Sequence, residues 1–397
     1  MKIIFPWTKK DKEKYFLAVD IDTKTVKALN FTTKGEKITI LGASSQAFEK
    51  FSIFDSISFE KNKIKKAILK SIEEVKGKIP KQKNLPVLLG LPANIFKIRV
   101  LSRELKRPDP KIKIQQNEEK EIYQKVLNES QREISEIFAQ SHGILSEDLE
   151  FLKLEIIGNK IDGYDVPYLC GFRGENLNFR VVAIFLLKYY FEEFKKIFEE
   201  TGFRISKIIH PAQNLKLALS EDFSDGIFLN IGSDLTQIFL MEEGKMLYIS
   251  EFETGERDFF QALYQNFGFT ERTSQILKEK YLKKLLSEGV RKKIKETIRV
   301  AIYDWFSNLK FKLNEAKQLL LFSNFYLFGE GSQLPEIKEI LEEEENWKDF
   351  AFIGKPIVKL IYPKDLKNIE DKTYTLNGPQ WISLVLICYT PLEIRQF

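Results

Sequence analysis

Two polar stretches of the chain carry residue types that could bind a phosphorylated ligand. In the first, Asp20 ends an apolar run and is followed by Thr23 and Lys24, which offer a hydroxyl and a positive charge. The second supplies an amide, a glycine and two hydroxyls at Asn230, Gly232, Ser233 and Thr236. Phosphate binding needs backbone amides that a ligand can approach closely, and a carboxylate that holds magnesium through water. The two stretches are therefore candidates for one phosphate site, with Asp20 as the metal residue.

A third stretch has the composition of a base-binding turn. Gly329-Glu330-Gly331-Ser332 lies between a predicted buried strand at 325–328 and a helix that begins near Leu334. Glycine at such a junction lets a flat base lie against the backbone, so Gly329, Gly331 and Ser332 could admit an adenosine. Each stretch alone is ordinary turn chemistry, and their order along the chain is what indicates a shared site.

The elements that must position these stretches are two similar strand meanders. Hydrophobic runs broken by turn residues predict strands at 16–20, 26–31 and 37–41, and again at 227–230, 237–241 and 246–249. Helical spacing and stop signals predict helices at 58–80 and 188–200, each followed by a strand, at 86–91 and 205–209. A helical block at 259–321 and a final helix at 379–388 complete the pattern.

Composition limits what the chain can be. Its 397 residues, 43% hydrophobic and 13% aromatic, supply enough apolar surface for two or more cores. The net charge of +5 is mild and spread along the chain, so nucleic acid is not an expected partner. Cys170 and Cys388 form no disulfide or metal spacing, which favours a cytoplasmic protein. The N-terminus does not have the charge order of a signal peptide, and no apolar run approaches the ~20 residues of a membrane span.

The ordered motifs carry a resemblance to known proteins. Asp20-Ile-Asp-Thr-Lys-Thr-Val-Lys27 resembles the first phosphate motif of the actin-like ATPases, Asn230-Ile-Gly-Ser-Asp-Leu-Thr-Gln237 the second, and Phe328-Gly-Glu-Gly-Ser-Gln-Leu-Pro335 the adenosine motif. Within that superfamily the chain looks most like the FtsA family of bacterial cell-division proteins. The stretch from Lys245 to Gly255 with the following helix to Lys278, and the segment 158–174, follow the FtsA pattern.

The resemblance implies an α/β fold of the actin-like, ribonuclease H-like type, with two lobes and a small inserted α+β subdomain. The first lobe would comprise 15–101 and 184–220 with a C-terminal helix at 379–390, and the inserted subdomain 102–183. The second lobe would comprise 221–260 and 322–375, with a helical subdomain at 261–321.

The resemblance also implies ATP and Mg²⁺ in a cleft between the lobes. Asp20 would organise magnesium, and Gln275 and Lys278 would meet the ribose. The full set of expected cofactor-binding residues is Asp20, Thr23, Lys24, Lys27, Asn230, Gly232, Ser233, Thr236, Gly255, Gln275, Lys278, Gly329, Gly331 and Ser332.

Several positions depart from the family pattern. Asp22 stands where a glycine is usual, Asn230 stands where an aspartate is usual, and Asp234 adds a charge beside the phosphates. Asp22 and Asp234 would oppose binding unless they turn away or meet the cation. The family usually has an acidic residue close to the attacking water, and His210 stands at that position here. We interpret His210 as a packed core residue in preference to a base. These changes predict weak or lost ATPase activity, and no catalytic residue is assigned.

The expected partners also follow from the resemblance. The FtsZ C-terminal peptide would bind the basic run 291–295, whose alternative interpretation is a solvated helix face. Filament formation and contacts with other division proteins are implied as well. The segment 391–397 is too short for an interfacial helix, and the apolar patch 3–7 with its lysines is either a weak anchor or docks on its own domain. We therefore expect a cytoplasmic protein, at most peripherally bound to the membrane at the division site.

Two rival interpretations remain. PilM, the actin-like protein of type IV pilus machinery, also begins with an apolar and lysine-rich segment, lacks the membrane helix and would bind a short peptide of a membrane partner. The inserted segment favours FtsA, whereas both termini favour PilM. A sugar or small-molecule kinase of the superfamily ranks last, because the sequence offers no well-placed catalytic aspartate.

Overall fold

The computed structural model describes residues 13–393, apart from 48–56, 77–84, 224, 269 and 317–320. The apolar patch at 3–7 and the last residues, 394–397, lie outside this part. The strands are β1 (Lys14–Ile21), β2 (Thr25–Lys34), β3 (Lys37–Ala47), β4 (Val87–Gly90), β5 (Lys97–Lys106), β6 (Leu149–Ile161), β7 (Tyr164–Val166), β8 (Asn176–Leu187), β9 (Ile205–Ile208), β10 (Gly226–Ile231), β11 (Thr236–Glu242), β12 (Lys245–Phe252), β13 (Leu321–Phe328), β14 (Phe352–Leu360) and β15 (Ile369–Asp371). The helices are α1 (Ile57–Lys76), α2 (Gln116–His142), α3 (Lys188–Thr201), α4 (Leu215–Ala218), α5 (Glu256–Phe267), α6 (Glu271–Leu282), α7 (Glu288–Glu315), α8 (Pro335–Glu342), α9 (Ile382–Ile387) and α10 (Thr390–Glu393).

The first sheet has the strand order β15-β3-β2-β1-β4-β9. Strands β1 to β3 form an antiparallel meander, while β4 pairs in parallel with β1 and with β9. Helix α1 packs on β2 and β3 through Ile64, Ile68 and Ile72, which are fully buried at helical spacing. Helix α9 contacts β1 and β4 and brings the C-terminal region to the ends of those strands.

The second sheet repeats the meander and is ordered β12-β11-β10-β13-β14. Strands β10 to β12 are antiparallel, and β13 runs parallel to both β10 and β14. Ile298, Ile302, Trp305 and Leu309 of α7 are fully buried in the cluster that also contains the core of this sheet. The helical block predicted at 259–321 is thus three helices, α5 to α7.

The third sheet, β5-β8-β6-β7, is antiparallel throughout and packs against α2. Helix α2 was not predicted from the sequence, which indicates only modest strands at 152–157 and 179–186 in this segment. Ile122, Val126, Ile134 and Phe138 form a buried helical stripe. That stripe was the signal for α2, but it is narrow and the surrounding residues are mostly lysine and glutamate.

The two large sheets share a buried core. Phe228, Phe239 and Tyr326 of the second sheet belong to the same hydrophobic cluster as the first sheet and its helices. Strand β15, which the sequence division placed with the second lobe, pairs in parallel with β3 of the first sheet. The two lobes therefore pack directly on each other. Within the described ranges, no helix is long and apolar enough to cross a membrane.

Candidate functional site

The tips of the two meanders face each other. Thr23, in the turn between β1 and β2, donates its hydroxyl to Asp234 Oδ2 over 2.6 Å. Ser233, in the turn between β10 and β11, donates its hydroxyl to Asp22 Oδ2 over 3.4 Å. The residues that the sequence singled out at these two turns are therefore brought together.

The same local geometry builds both tips. In the first, Asp20 pairs with Lys27 and Ile21 with Val26 before the chain turns. In the second, the corresponding register is Asn230 with Gln237 and Ile231 with Thr236. Backbone hydrogen bonds close both turns, Asp22 N to Thr25 O at 2.8 Å and Gly232 N to Leu235 O at 2.9 Å. Each turn thus presents short polar side chains at the end of a buried strand.

The second tip is supported from behind by the start of α5. The backbone amides of Glu256 and Arg257 donate to the carbonyl oxygens of Gly232 and Ser233, both at 2.9 Å. A Cβ at Gly255 would lie 2.7 Å from those same two oxygens. Glycine is therefore required at 255 by close approach of the chain to itself.

Lys27 joins the first lobe to the turn after β13. Its ammonium lies 2.7 Å from Glu330 Oε1 and donates to the carbonyl oxygen of Gln380 over 2.9 Å. Burial alone would lower the pKa of Lys27, but attraction and hydrogen bonding to Glu330 raise it overall. Burial opposes ionisation of Glu330, yet Lys27 and Lys278 together lower its pKa. Both shifts favour the charged pair.

The remaining carboxyl groups at the tips are buried, which makes their ionised forms unfavourable. Burial raises the pKa of Asp20 to about 7, with Lys27 opposing the shift and Asp22 adding to it. Burial also raises the pKa of Asp22 and of Asp234. Asp234 is met by Arg257, whose guanidinium lies 2.9 Å away. Asp22 and Asp234 thus turn toward the opposite tip, where each accepts a hydroxyl hydrogen bond.

The predicted adenosine turn packs against the chain itself. Gly329 has φ 94°, a conformation that L side chains rarely adopt, and a Cβ there would lie 2.5 Å from the carbonyl oxygen of Ile231. A Cβ at Gly331 would lie 2.6 Å from the Ile231 side chain. Ser332 is buried and donates to the carbonyl oxygen of Gly329. The glycines in this turn make room for β10.

Of the two residues expected at the ribose, the structure describes the side chain of Lys278. Lys278 of α6 forms an ion pair with Glu256 at the start of α5. Gln275 lies on the same helix, but its side chain falls outside the described residues. Sequence reasoning gave Glu256 and Glu330 no role. The available signal for Glu330 was a charged residue between the two glycines of the predicted adenosine turn.

Two further predicted residues are hydrogen-bonded within their own lobe. Thr236 accepts a hydrogen bond from the Trp305 indole over 2.9 Å and donates to the carbonyl of Thr254 over 2.7 Å. Asn230 donates to the side-chain oxygen of Gln237 over 3.1 Å. These contacts use the polar groups in the interior of the second lobe.

His210 is a buried, hydrogen-bonded residue. Its Nδ1 accepts from the backbone amide of Ala212 over 3.2 Å, and its Nε2 lies 2.8 Å from the side-chain amide of Gln237. Burial lowers the pKa of His210 to about 3, so the ring is neutral at physiological pH. Phe96 packs edge-on against it with ring centroids 4.9 Å apart. These contacts agree with the packed role expected from the sequence.

The side chains between the lobes do not fit a triphosphate as they are arranged. The cavity here has a volume of about 60 Å³ and is lined by Asp20, Asp22, Lys27 and Glu330, among others. Pockets for small ligands are typically about 300–1,000 Å³. Carboxylates outnumber ammonium groups in this lining, and Lys27 is already paired. In the part of the chain that the structure describes, no three histidine, cysteine or acidic residues gather as a metal site.

Comparisons with known proteins identify the fold. No protein-family model and no curated protein matches the sequence. A chain of the PilM-PilN type IV pilus biogenesis complex superposes with a TM-score of 0.67 at 15% identity, covering 94% of this chain and 98% of that one. The ethanolamine utilization protein EutJ from Carboxydothermus hydrogenoformans gives 0.52 at 11% identity, covering 94% and 89%. MreB5 of Spiroplasma citri bound to AMPPNP gives 0.47 at 9% identity, covering 96% and 97%.

Identities this low establish fold alone. The two-lobed α/β architecture predicted from the motifs is confirmed, whereas membership of the FtsA family is not established. This chain has the actin-like ATPase fold.

Proposed function

We propose that this protein is a PilM-like adaptor, an actin-fold subunit of a pilus-type assembly machinery that binds a PilN-like partner. The single observation that carries this proposal is the similarity to a chain of the PilM-PilN complex along nearly the whole length of both chains. The sequence alone favours an FtsA-like role over this one. The extent of the structural similarity to the PilM chain favours the PilM-like role.

The site chemistry supports an adaptor in preference to an enzyme. His210, at the position next to the attacking water in the resemblance, is neutral and hydrogen-bonded on both ring nitrogens. The carboxyl group of Asp22 accepts hydrogen bonds from the two tips. ATP and Mg²⁺ as ligands remain predictions from the sequence.

An aromatic patch on β7 and in the loop that follows it is our proposed contact surface for the partner. We define it as Tyr164, Tyr168 and Phe172, which are 78%, 55% and 40% exposed. The rings of Tyr168 and Phe172 are 5.9 Å apart. Exposed tyrosine and phenylalanine side chains offer large contact area with little rotamer entropy to lose, and such residues dominate many protein interfaces.

The test measures binding of the full chain to two candidate peptides. A short peptide of a PilN-like protein from the same organism is compared with the C-terminal peptide of its FtsZ by calorimetry. We expect binding to the PilN-like peptide, and a loss of at least about tenfold in affinity on Tyr164→Ser with Phe172→Ser. Tyr374→Ser is the matched control, because Tyr374 is 83% exposed and lies outside the patch. Binding of neither wild type nor variants to the PilN-like peptide would contradict the proposal.

An FtsA-like division adaptor is the second candidate, and the charge on α7 favours it. Lys292 and Lys293 are exposed, while Lys295 and Arg299 on the same helix form ion pairs with Glu339 of α8. A basic surface of this kind suits the acidic FtsZ peptide. Filament formation, other division proteins and a location at the division site belong to this candidate. It predicts FtsZ-peptide binding that Lys292→Glu with Lys293→Glu abolishes.

A further inference from the structure

We propose that the chain closes its interlobe cleft with its own carboxylates, which occupy the ligand-binding donors, and that it holds the two lobes together without a nucleotide. Glu330 is the central residue of this arrangement, because it supplies on Lys27 the negative charge that a bound phosphate would supply. The inference goes beyond the proposed function and holds for either candidate partner.

Four of the polar side chains expected to bind the ligand already donate to, or form an ion pair with, carboxylates of the same chain. Thr23 donates to Asp234, Ser233 to Asp22 and Lys27 to Glu330. Lys278, the expected ribose contact, is paired with Glu256. Two hydroxyls and two ammonium groups thus meet four carboxylates of the same chain.

Three of these contacts join the two lobes. Lys27, Thr23 and Asp22 belong to the first meander. Their partners Glu330, Asp234 and Ser233 belong to turns of the second lobe. Lys27 also donates to the carbonyl oxygen of Gln380, just before α9. Its side chain is only 7% exposed, and its ammonium lies 5.9 Å from the centre of the Trp381 ring. The pair therefore ties three separate parts of the chain at one buried point.

The backbone that presents Glu330 is closely packed. Gly329 adopts φ 94° against the carbonyl oxygen of Ile231, and Gly331 packs on the Ile231 side chain. Both flanking positions are thereby fixed on the end of β10. The Glu330 side chain is consequently directed at Lys27 by a turn that has little freedom to move.

The electrostatics of the cleft oppose a bound triphosphate. A triphosphate entering this cleft would displace Asp22 and Glu330 from their donors and would stand beside both of them and beside Asp20. Like charges within about 4–6 Å disfavour each other's ionised state, so the competition favours the chain's own carboxylates. The cavity of about 60 Å³ gives the displaced groups little room.

The first experiment tests nucleotide directly on the wild-type full chain. Thermal unfolding is followed with and without about 1 mM Mg·ATP; a ligand at a hundred times its dissociation constant would stabilise the folded state substantially. We expect a change in Tm of less than about 1 °C, since a bound ligand at that excess would raise it by several degrees. A rise of that size, or a saturable calorimetric signal with Mg·ATP, would overturn the inference.

The second experiment tests the ion pair without any ligand. Tm is measured for Lys27→Met, Glu330→Gln and the double variant, and the departure from additivity is the readout. We expect the double variant to lose clearly less than the sum of the two single losses. The matched control is Lys295→Met with Glu339→Gln, a pair at 2.8 Å whose side chains are 41% and 42% exposed. Its coupling should be near zero, as for most surface pairs. Additive losses at Lys27 and Glu330 would refute the proposed closure.

Discussion

The Asp20 carboxyl group should limit the stability of the protein near neutral pH. It lies one residue before the end of β1, at the rim of the cleft, opposite Gly90 of β4 in the sheet register. A Cβ at Gly90 would collide with this carboxyl group, so β4 packs closely against it. Burial raises its pKa to about 7, and Asp22 and Glu330 add to the shift while Lys27 opposes it. Ionisation of Asp20 is therefore unfavourable in the folded state.

The magnitude follows from linkage. Because the folded pKa lies above the unfolded value of 3.8, stability is highest below the unfolded pKa and is lost as pH rises through the folded pKa. At 1.36 kcal/mol for each unit, the loss is about 2 kcal/mol near pH 5 and about 4 kcal/mol near pH 7, as upper limits. Asp20→Asn removes this pH dependence. Its amide costs about 1–3 kcal/mol at every pH if it finds no acceptor.

The assay is urea unfolding of wild type and Asp20→Asn at about pH 5 and about pH 7. We expect the free energy difference between variant and wild type to shift in favour of the variant by about 2 kcal/mol between the two pH values. Asp162→Asn is the control without a shift, because backbone amides of Asn176 and Glu175 lower the pKa of that exposed carboxyl group, which is therefore ionised at both pH values. An equal difference at both pH values for Asp20→Asn would refute the reasoning.

Three further predictions concern the support of the tips. Thr236→Val should cost about 1–3 kcal/mol in urea unfolding, because the buried Trp305 indole loses its acceptor. Gly255→Ala should cost about 1–3 kcal/mol, since its Cβ would lie 2.7 Å from backbone oxygens, whereas Gly289→Ala, in open space on α7, should gain about 0.5–1 kcal/mol. His210, with a folded pKa of about 3 against 6.5 unfolded, contributes stability that is lost as pH falls. About 2 kcal/mol should disappear between about pH 7 and pH 5, and His210→Asn should not show this loss.

Elements with broad apolar faces could be predicted from the sequence. The helix predicted at 58–80 is α1 (Ile57–Lys76), and the helix predicted at 188–200 is α3, ended by Gly202 at φ 77°. Strand β14 was not predicted, because it lies at the edge of its sheet and only Val358 among its residues is buried. An edge strand with so few buried positions has no alternating pattern to detect.

The candidate site was predictable in its residue types and only partly in its contacts. Short polar residues at two hairpin tips and a glycine turn after β13 can be identified locally, since strand periodicity and turn chemistry depend on near neighbours. The hydrogen-bond acceptors of those polar groups cannot be identified in this way. Thr23 and Asp234 are 211 residues apart and Lys27 and Glu330 are 303 residues apart, so no local pattern predicts these pairs.

The sequence by itself determined the two repeated meanders, the helices that cover them and the order of the three polar turns. These depend on hydrophobic spacing and on residues that favour turns, which are properties of short segments. Only the tertiary structure decided that the tips touch, that Lys27 meets Glu330 and that about 60 Å³ remains between the lobes. The physical reason is that side chains compete for the same donors, and the competition is resolved only when distant segments are brought within hydrogen-bonding distance.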